Sequence, residues 1–378
     1  MAYKIKSKKM KILTFITFIL LLSSCTEVKT PDLPIIVNLN KLSEYDIFLK
    51  NIKEIKLILL KPGPDVFFGT DPHVQYADNE IFLIDKNGTG KIYRFSSEGE
   101  LLNTIGSKGR GPKEYVDIKN VQIISDTVIV VTSPHITICK YMNNGSFISK
   151  ETYDIEAQQA VYHNNTLYAY SGFGMQKPFR FISVEQGQIN YFISSKEKVI
   201  NFYEDTDVFS FHDQNLYTRE TYSNTIMRID KTIAPYLTFD FNKHKIPDDF
   251  FKFNSGFEAA EYLFSQEYAV IRKYFETSTF HIVEILLSSK PMPSFIYGIN
   301  YKCQSNEDWS WFSMGKIGES PFTNSLKFSV DNKIIFLLDP TQINQLSKSE
   351  VSKIINKDVL SQITENSNYF IAEYKIEI

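Results

Sequence analysis

Glu80-Ile81-Phe82-Leu83-Ile84-Asp85, then Lys91-Ile92-Tyr93-Arg94-Phe95, then Leu101-Leu102-Asn103-Thr104-Ile105 is the stretch that decides the fold. Three short runs rich in β-branched and aromatic residues, separated by polar turns, read as consecutive antiparallel strands. The second turn, Ser96-Ser97-Glu98-Gly99-Glu100, places glycine where a tight turn asks for positive φ. The leading run returns at 127–131, 165–170, 215–219, 268–272 and 333–339, and partner strands recur at 138–148 and 225–229. Six copies, roughly 40 to 65 residues apart, point to radial repetition. A lone four-stranded sheet cannot bury both faces, whereas sheets stacked around an axis bury each against its neighbours. The predicted architecture is all-β, a six-bladed β-propeller of mostly four-stranded antiparallel blades. Spacing alone leaves a pair of β-sandwiches open. Short helices are expected within 245–267 and 348–360.

The bulk composition agrees with a folded β protein. Of 378 residues, 43% are apolar, and 30 Phe and 22 Tyr suit half-buried pleated surfaces. The net charge of -3 gives no reason to expect a nucleic-acid partner.

The N-terminus carries an address. Lys8, Lys9 and Lys11 precede an apolar run, Ile12 to Leu22, that ends in Ser23-Ser24-Cys25. A basic region, a short apolar region and a small-residue break read as a secretory signal. The run falls short of the roughly 20 residues that span a bilayer. Cys25 after small residues resembles the lipobox of bacterial lipoproteins, in which cleavage frees the cysteine for lipidation. The expected organisation is a signal peptide over 1–24, a lipidated tether over 25–40 and a single propeller over 41–378. Cys139 and Cys303 then remain, either as one disulfide or as two buried thiols.

A second motif narrows the class. Gly106-Ser107-Lys108-Gly109-Arg110-Gly111-Pro112-Lys113-Glu114-Tyr115 resembles a Gly-x-x-Gly-x-Gly-Pro-x-Glu-Phe/Tyr signature. That signature belongs to the six-bladed propeller lipoproteins of Bacteroides-type bacteria, related in architecture to NHL and TolB-like propellers. Residues 222–229, 235–241 and 245–247 follow the family's fourth-blade order, except that Asn242 stands where a glycine usually follows Phe241. The strand at 368–374 resembles the family ending. Physically, Gly106, Gly109 and Gly111 permit tight or left-handed backbone, Pro112 presets a turn, and Tyr115 can pack a joint between blades. The motif lacks the Lys-Ser/Thr ending and following helix of a phosphate loop.

No local signature announces an enzyme. The histidines, His73, His135, His163, His212, His244 and His281, form neither His-x-x-x-His nor His-Glu-x-x-His. No Gly-x-Ser-x-Gly elbow is present. His212 with Asp205, Asp207 and Asp213 could hold a divalent cation such as calcium, although polar turns explain them equally well, and no cofactor is expected. Trp309 and Trp311, at i and i+2, point the same way on a strand and could stack on a glycan or a protein, or fill a blade core. Arg110 and Lys113, with Lys108 and Glu114, could line a channel mouth. Arg219, Tyr222, Asn224 and Arg228 are further candidates for the axis or rim.

The function this supports is a non-enzymatic binding module of the cell envelope for a glycan, peptide or partner protein. The alternative is a metal-dependent hydrolase or lyase acting on an extracellular sugar or lactone, since related architectures host such enzymes. The membrane contact expected is lipid on Cys25. Thr26-Glu27 lacks the aspartate that retains such lipoproteins at the inner membrane, which favours the outer membrane, facing periplasm or cell surface.

Overall fold

The protein is described by a computed structural model covering residues 34–378, apart from 64–65, 67, 133–134, 173–178, 195–206, 213, 231, 254, 289–292, 305–307, 317–325, 365–366 and 378. The expected signal peptide and Cys25 lie outside the described residues.

Six sheets form the six blades of a β-propeller. Blade one is His73–Ala77, Glu80–Asp85, Lys91–Phe95 and Leu101–Ile105. Blade two is Asn120–Ile124, Thr127–Thr132, His135–Met142 and Phe147–Glu156. Blade three is Gln159–His163, Thr166–Tyr170, Phe179–Glu185 and Gln188–Ser194. Blade four is Phe209–His212, Asn215–Arg219, Thr225–Ile229 and Ile233–Asp240. Blade five is Ala269–Glu276, Phe280–Leu287, Ser294–Tyr301 and Ser310–Lys316. Blade six is Phe328–Val330, Lys333–Leu338 and Phe370–Ile376, completed by the early strand Ile52–Leu59. That early strand pairs antiparallel with Phe370–Ile376, Ile55 opposite Tyr374, so the two ends of the chain close the ring in one sheet.

The continuous apolar runs have a simple cause. In Ile81-Phe82-Leu83-Ile84, Ile81 and Leu83 join the core shared with blade six, while Phe82 and Ile84 join the core shared with blade two. In blade two, Val128 and Val130 face blade one, and Ile129 and Val131 face blade three. A strand buried on both faces loses the polar alternation of a half-exposed one. Six apolar clusters result, one at each joint.

Three expectations need correction. The run at 268–272 is not equivalent to the other five copies. It starts the innermost strand of blade five, and the equivalent second strand is Phe280–Leu287. Both strands are apolar enough to pass for the repeat. Next, residues assigned to a tether are part of the fold. Ile35–Ile36 adds a parallel strand to the outer edge of blade four, and Val37 is buried. Finally, Cys139 and Cys303 are both free, and only Cys139 is buried; Cys303 is exposed in the segment after the third strand of blade five.

The two expected helical segments are present. Gly256–Ser265 is a helix whose first turn is capped by the Ser255 hydroxyl, which accepts from the Glu258 amide at 3.2 Å. Lys348–Lys353 starts with a Ser347–Glu350 capping box and is followed by a 3-10 turn, Lys357–Gln362. Asn242 sits at φ 50°, so asparagine takes the left-handed position that glycine would otherwise fill. No helix among the described residues is long and apolar enough to cross a membrane.

Candidate functional site

The first strand of every blade borders the axis, and together these strands wall a cavity of about 840 Å³. Each joint around it is stitched by a side chain that reaches the next blade. Gln75 Nε2 donates to the Val121 carbonyl at 2.7 Å. Gln122 makes two bonds to Tyr162, donating to its carbonyl at 2.9 Å and accepting from its amide at 2.5 Å. Gln159 Oε1 accepts from the Val208 amide at 2.9 Å. From blade four onward the stitches are cationic. Arg219 donates to the Arg272 carbonyl at 2.7 Å, and Lys273 Nζ to the Leu326 carbonyl at 2.5 Å. Lys327 closes the ring by pairing with Asp71, just ahead of blade one.

One mouth of the cavity, where the innermost strands begin, is spanned by an ion cluster. Asp207, leading into blade four, lies 3.0 Å from His73 Nδ1 and 3.5 Å from Lys86 Nζ, both on blade one across the axis. Lys86 is nearly buried and also donates to the Lys119 carbonyl at 3.0 Å. Burial pushes the Asp207 carboxyl up, but Lys86 and His73 outweigh it and hold the group well below the usual carboxylate range. Burial and the Lys86 ammonium lower His73, against the pull of Asp207. Burial, partly offset by Glu284 and reinforced by Lys327, pushes Lys273 down to about 8.

The opposite end of the cavity is lined by His163, Asn164 and Gln214. The same three residues line a second, outer cleft of about 620 Å³ between blades three and four, with Tyr168, Tyr191, Phe192 and Arg228. Axial cavity and outer cleft therefore share a wall.

The residues singled out from sequence are not gathered in one place. Arg110 and Lys113 are exposed on the segment that joins blades one and two. Arg219 is buried at a joint. Tyr222, at φ 68°, packs edge-on to Phe250 with ring centres 4.8 Å apart. Asn224 donates to the Phe239 carbonyl at 2.5 Å. Arg228 is exposed in the outer cleft. Trp309 and Trp311 stack on each other at 5.5 Å and meet Phe239 edge-on, which sets them half-buried between blades four and five. Asp205 and Asp213 lie outside the described residues, and Asp207 is engaged by His73 and Lys86. Among the described residues no three His, Cys, Asp or Glu side chains converge as metal ligands.

The glycine motif forms a joint. The Tyr115 hydroxyl donates to the Gly90 carbonyl at 3.0 Å, and its ring meets Tyr141 edge-on. Gly106 alone of the three glycines has positive φ, at 65°. Gly109 and Gly111 are needed for a different reason. The Glu114 carboxylate folds back over them, accepts from the Gly111 amide at 2.8 Å and fills the space a Cβ would take at Gly109. Pro112 is exposed in the same loop.

Sequence reasoning missed Gln75, Gln122, Gln159, His73, Lys86, Lys273 and Lys327. The one signal was that each sits in, or next to, a strand whose other residues are apolar.

Solved structures share the fold. A Bacteroides fragilis protein assigned as exported superposes with a TM-score of 0.70 at 17% identity, over 86% of this chain and 95% of its own. A DUF4221-family member from Bacteroides vulgatus gives 0.54 at 12% identity, over 86% of this chain and 97% of its own. No curated protein matches. A family profile described as a domain of unknown function matches residues 34–375, and the chain therefore belongs to that family, DUF4934.

Proposed function

We propose that this chain is an exported, lipid-anchored envelope protein whose propeller binds a glycan along the track from the axial cavity into the outer cleft. The observation that carries the reading is the shared wall of His163, Asn164 and Gln214, which sets the two cavities side by side. Its lining suits a sugar chain. Amide side chains donate and accept at once, as vicinal hydroxyls require. Tyr162, Tyr168 and Tyr191 offer flat apolar faces with polar tips. The basic start, the short apolar run and Ser23-Ser24-Cys25 support export and lipidation at Cys25, and the exported Bacteroides fragilis relative supports the same location. The absence of aspartate after Cys25 favours the outer membrane.

Two experiments test this. Mass analysis of the N-terminal peptide from membranes should find Cys25 acylated, and Cys25→Ser should release the protein from the membrane fraction. A screen of linear oligosaccharides should find a ligand whose binding is lost in Asn164→Ala or Tyr191→Ala. Binding indifferent to both substitutions would remove the track as the site, and turnover of the sugar would replace the binding module with an enzyme.

A further inference from the structure

We infer that the glycan carries an aryl group, and that a collar of aromatic side chains holds this ring in the axial cavity, at the end lined by His163, Asn164 and Gln214. This rests on the binding reading above and adds the class of ligand, an aryl glycoside.

The collar follows from register. The innermost strands begin at the mouth spanned by Asp207, His73 and Lys86, so the second-last residue of each lies towards the opposite end. In blades one to five that residue is Tyr76, Ile123, Tyr162, Phe211 and Phe275. In the first four of these blades the strand then closes a two-residue turn, Ala77 opposite Glu80, Ile124 opposite Thr127, His163 opposite Thr166 and His212 opposite Asn215, which makes the positions equivalent. All five side chains belong to residues that line the cavity. In blade six the second-last residue is Ser329, and the neighbouring Phe328 lines the cavity instead. Phe328 stacks on Tyr76, with ring centres 6.2 Å and planes 10° apart, and Phe275 meets it edge-on at 5.8 Å.

These residues are not spent on the joints. One residue earlier in the strands, Gln75 and Gln122 make the stitches to the next blade. Tyr76, Ile123, Tyr162, Phe275 and Phe328 pack on the joint clusters yet stay only half-buried, and Phe211 is 37% exposed. Apolar surface gathered from six blades and left open to a cavity marks a ligand site. The Tyr76 hydroxyl is engaged by Glu373 at 3.0 Å, and Phe211, Phe275 and Phe328 have no polar tip. This part of the collar offers ring faces and edges but no hydrogen bond, which suits an aryl group and not a pyranose with its hydroxyls. The partners for hydroxyls stand beside it. His163 and Asn164 directly follow Tyr162, Gln214 is three residues beyond Phe211, and the His163 and Phe211 ring centres are 5.9 Å apart. Aromatic pairs gain beyond their buried area when stacked or edge-on, so the collar favours a flat ring over an alkyl chain.

The experiment is calorimetry on the purified full chain. The probes are the phenyl, octyl and methyl β-glycosides of cellobiose, lactose and xylobiose, with benzyl alcohol as the ring without a sugar. For at least one sugar the phenyl glycoside should bind at least about tenfold more tightly than the methyl glycoside, the octyl glycoside and benzyl alcohol. Phe211→Ala should cut that preference by about threefold or more, and the double variant Phe211→Ala/Phe275→Ala should remove it. Because Phe211 is partly exposed, the single variant should keep the melting temperature. Saturation-transfer NMR on the parent should place the strongest transfer on the aryl protons. Equal binding of phenyl and methyl glycosides for every sugar, or a preference that survives the double variant, would overturn the inference and leave glycan binding standing. Octyl glycosides binding as tightly as phenyl ones would overturn the aromatic class. Benzyl alcohol binding as tightly as the best phenyl glycoside would keep the collar and remove the sugar, and with it the glycan reading. No binding by any phenyl glycoside would overturn the inference and leave the glycan reading to the oligosaccharide screen.

Discussion

The joints of blades one to three and those of blades five and six solve one problem with different chemistry. On the first side, Gln75, Gln122 and Gln159 pair with main-chain groups through neutral amides. On the second, Lys273 and Lys327 do it with ammonium groups, one against a carbonyl and one against Asp71. An amide satisfies a neighbouring backbone without a charge penalty and without sensitivity to pH. A lysine adds desolvation cost and a titration. The comparison sets a joint closed without charge against one that carries the cost of a charge.

The largest effect expected on the neutral side is at Gln122. Gln122→Leu removes both bonds to Tyr162 and leaves a part-buried amide and carbonyl seeking partners. Two bonds are lost and their partners stay partly shielded from water, so about 2–3 kcal/mol should be lost in denaturant titrations. Gln75→Leu removes one bond and should cost about half as much. Equal losses would mean that the paired amide is no stronger than a single stitch, and the neutral side would lose its claim to be the structural one.

The charged side should respond to acid where the neutral side does not. His281, on the second strand of blade five, is buried, accepts or donates at 2.9 Å to the Tyr274 hydroxyl, and is pushed down to about 4 by burial, against the attraction of Glu276. An unfolded histidine binds its proton near 6.5. Between pH 6.5 and 4 the unfolded chain therefore holds a proton that the folded chain refuses. The stability from this group is present above 6.5 and is lost as pH falls through that window, by up to about 3 kcal/mol. His281→Phe should flatten this limb of the pH–stability curve, while Gln75→Leu should shift the curve without changing its shape. An unchanged acid limb in His281→Phe would place the acid sensitivity elsewhere.

Much of the ring was legible because blade strands announce themselves locally. Ile81-Phe82-Leu83-Ile84 and Val128-Ile129-Val130-Val131 are buried on both faces, and such runs need no partner to be recognised. The error at 268–272 arose where two consecutive apolar strands, Ala269–Glu276 and Phe280–Leu287, carry the same signal. The closing strand Ile52–Leu59 was hidden because its partner Phe370–Ile376 lies at the other end of the chain. The candidate site was least legible for the same reason. His73 and Asp207 are 134 residues apart, and Lys327 and Asp71 are 256 apart. Nothing local to a lysine shows that a ring closure will bring it to an axis. Trp309 and Trp311 drew attention as aromatics, but their packing on Phe239 also serves a joint.

The stability change at Lys273 bears most directly on the comparison. Lys273 is a base whose folded pKa, about 8, lies below the usual lysine value near 10.4. Below pH 8 both folded and unfolded chains hold the proton, and the folded chain carries the full cost of keeping it in the cavity. As pH rises from 8 towards 10.4 the folded chain sheds the proton first, and the cost is relieved. Lys273→Gln should therefore stabilise the fold at pH 7, by about 1–2 kcal/mol once partial exposure is discounted. The gain over the parent should shrink as pH climbs through that window. A more stable variant would show that the ammonium is not needed to close the joint. Lys273→Gln less stable than the parent at pH 7 would show instead that the ammonium is the better stitch, and the two sides of the ring would then differ in sequence without differing in purpose.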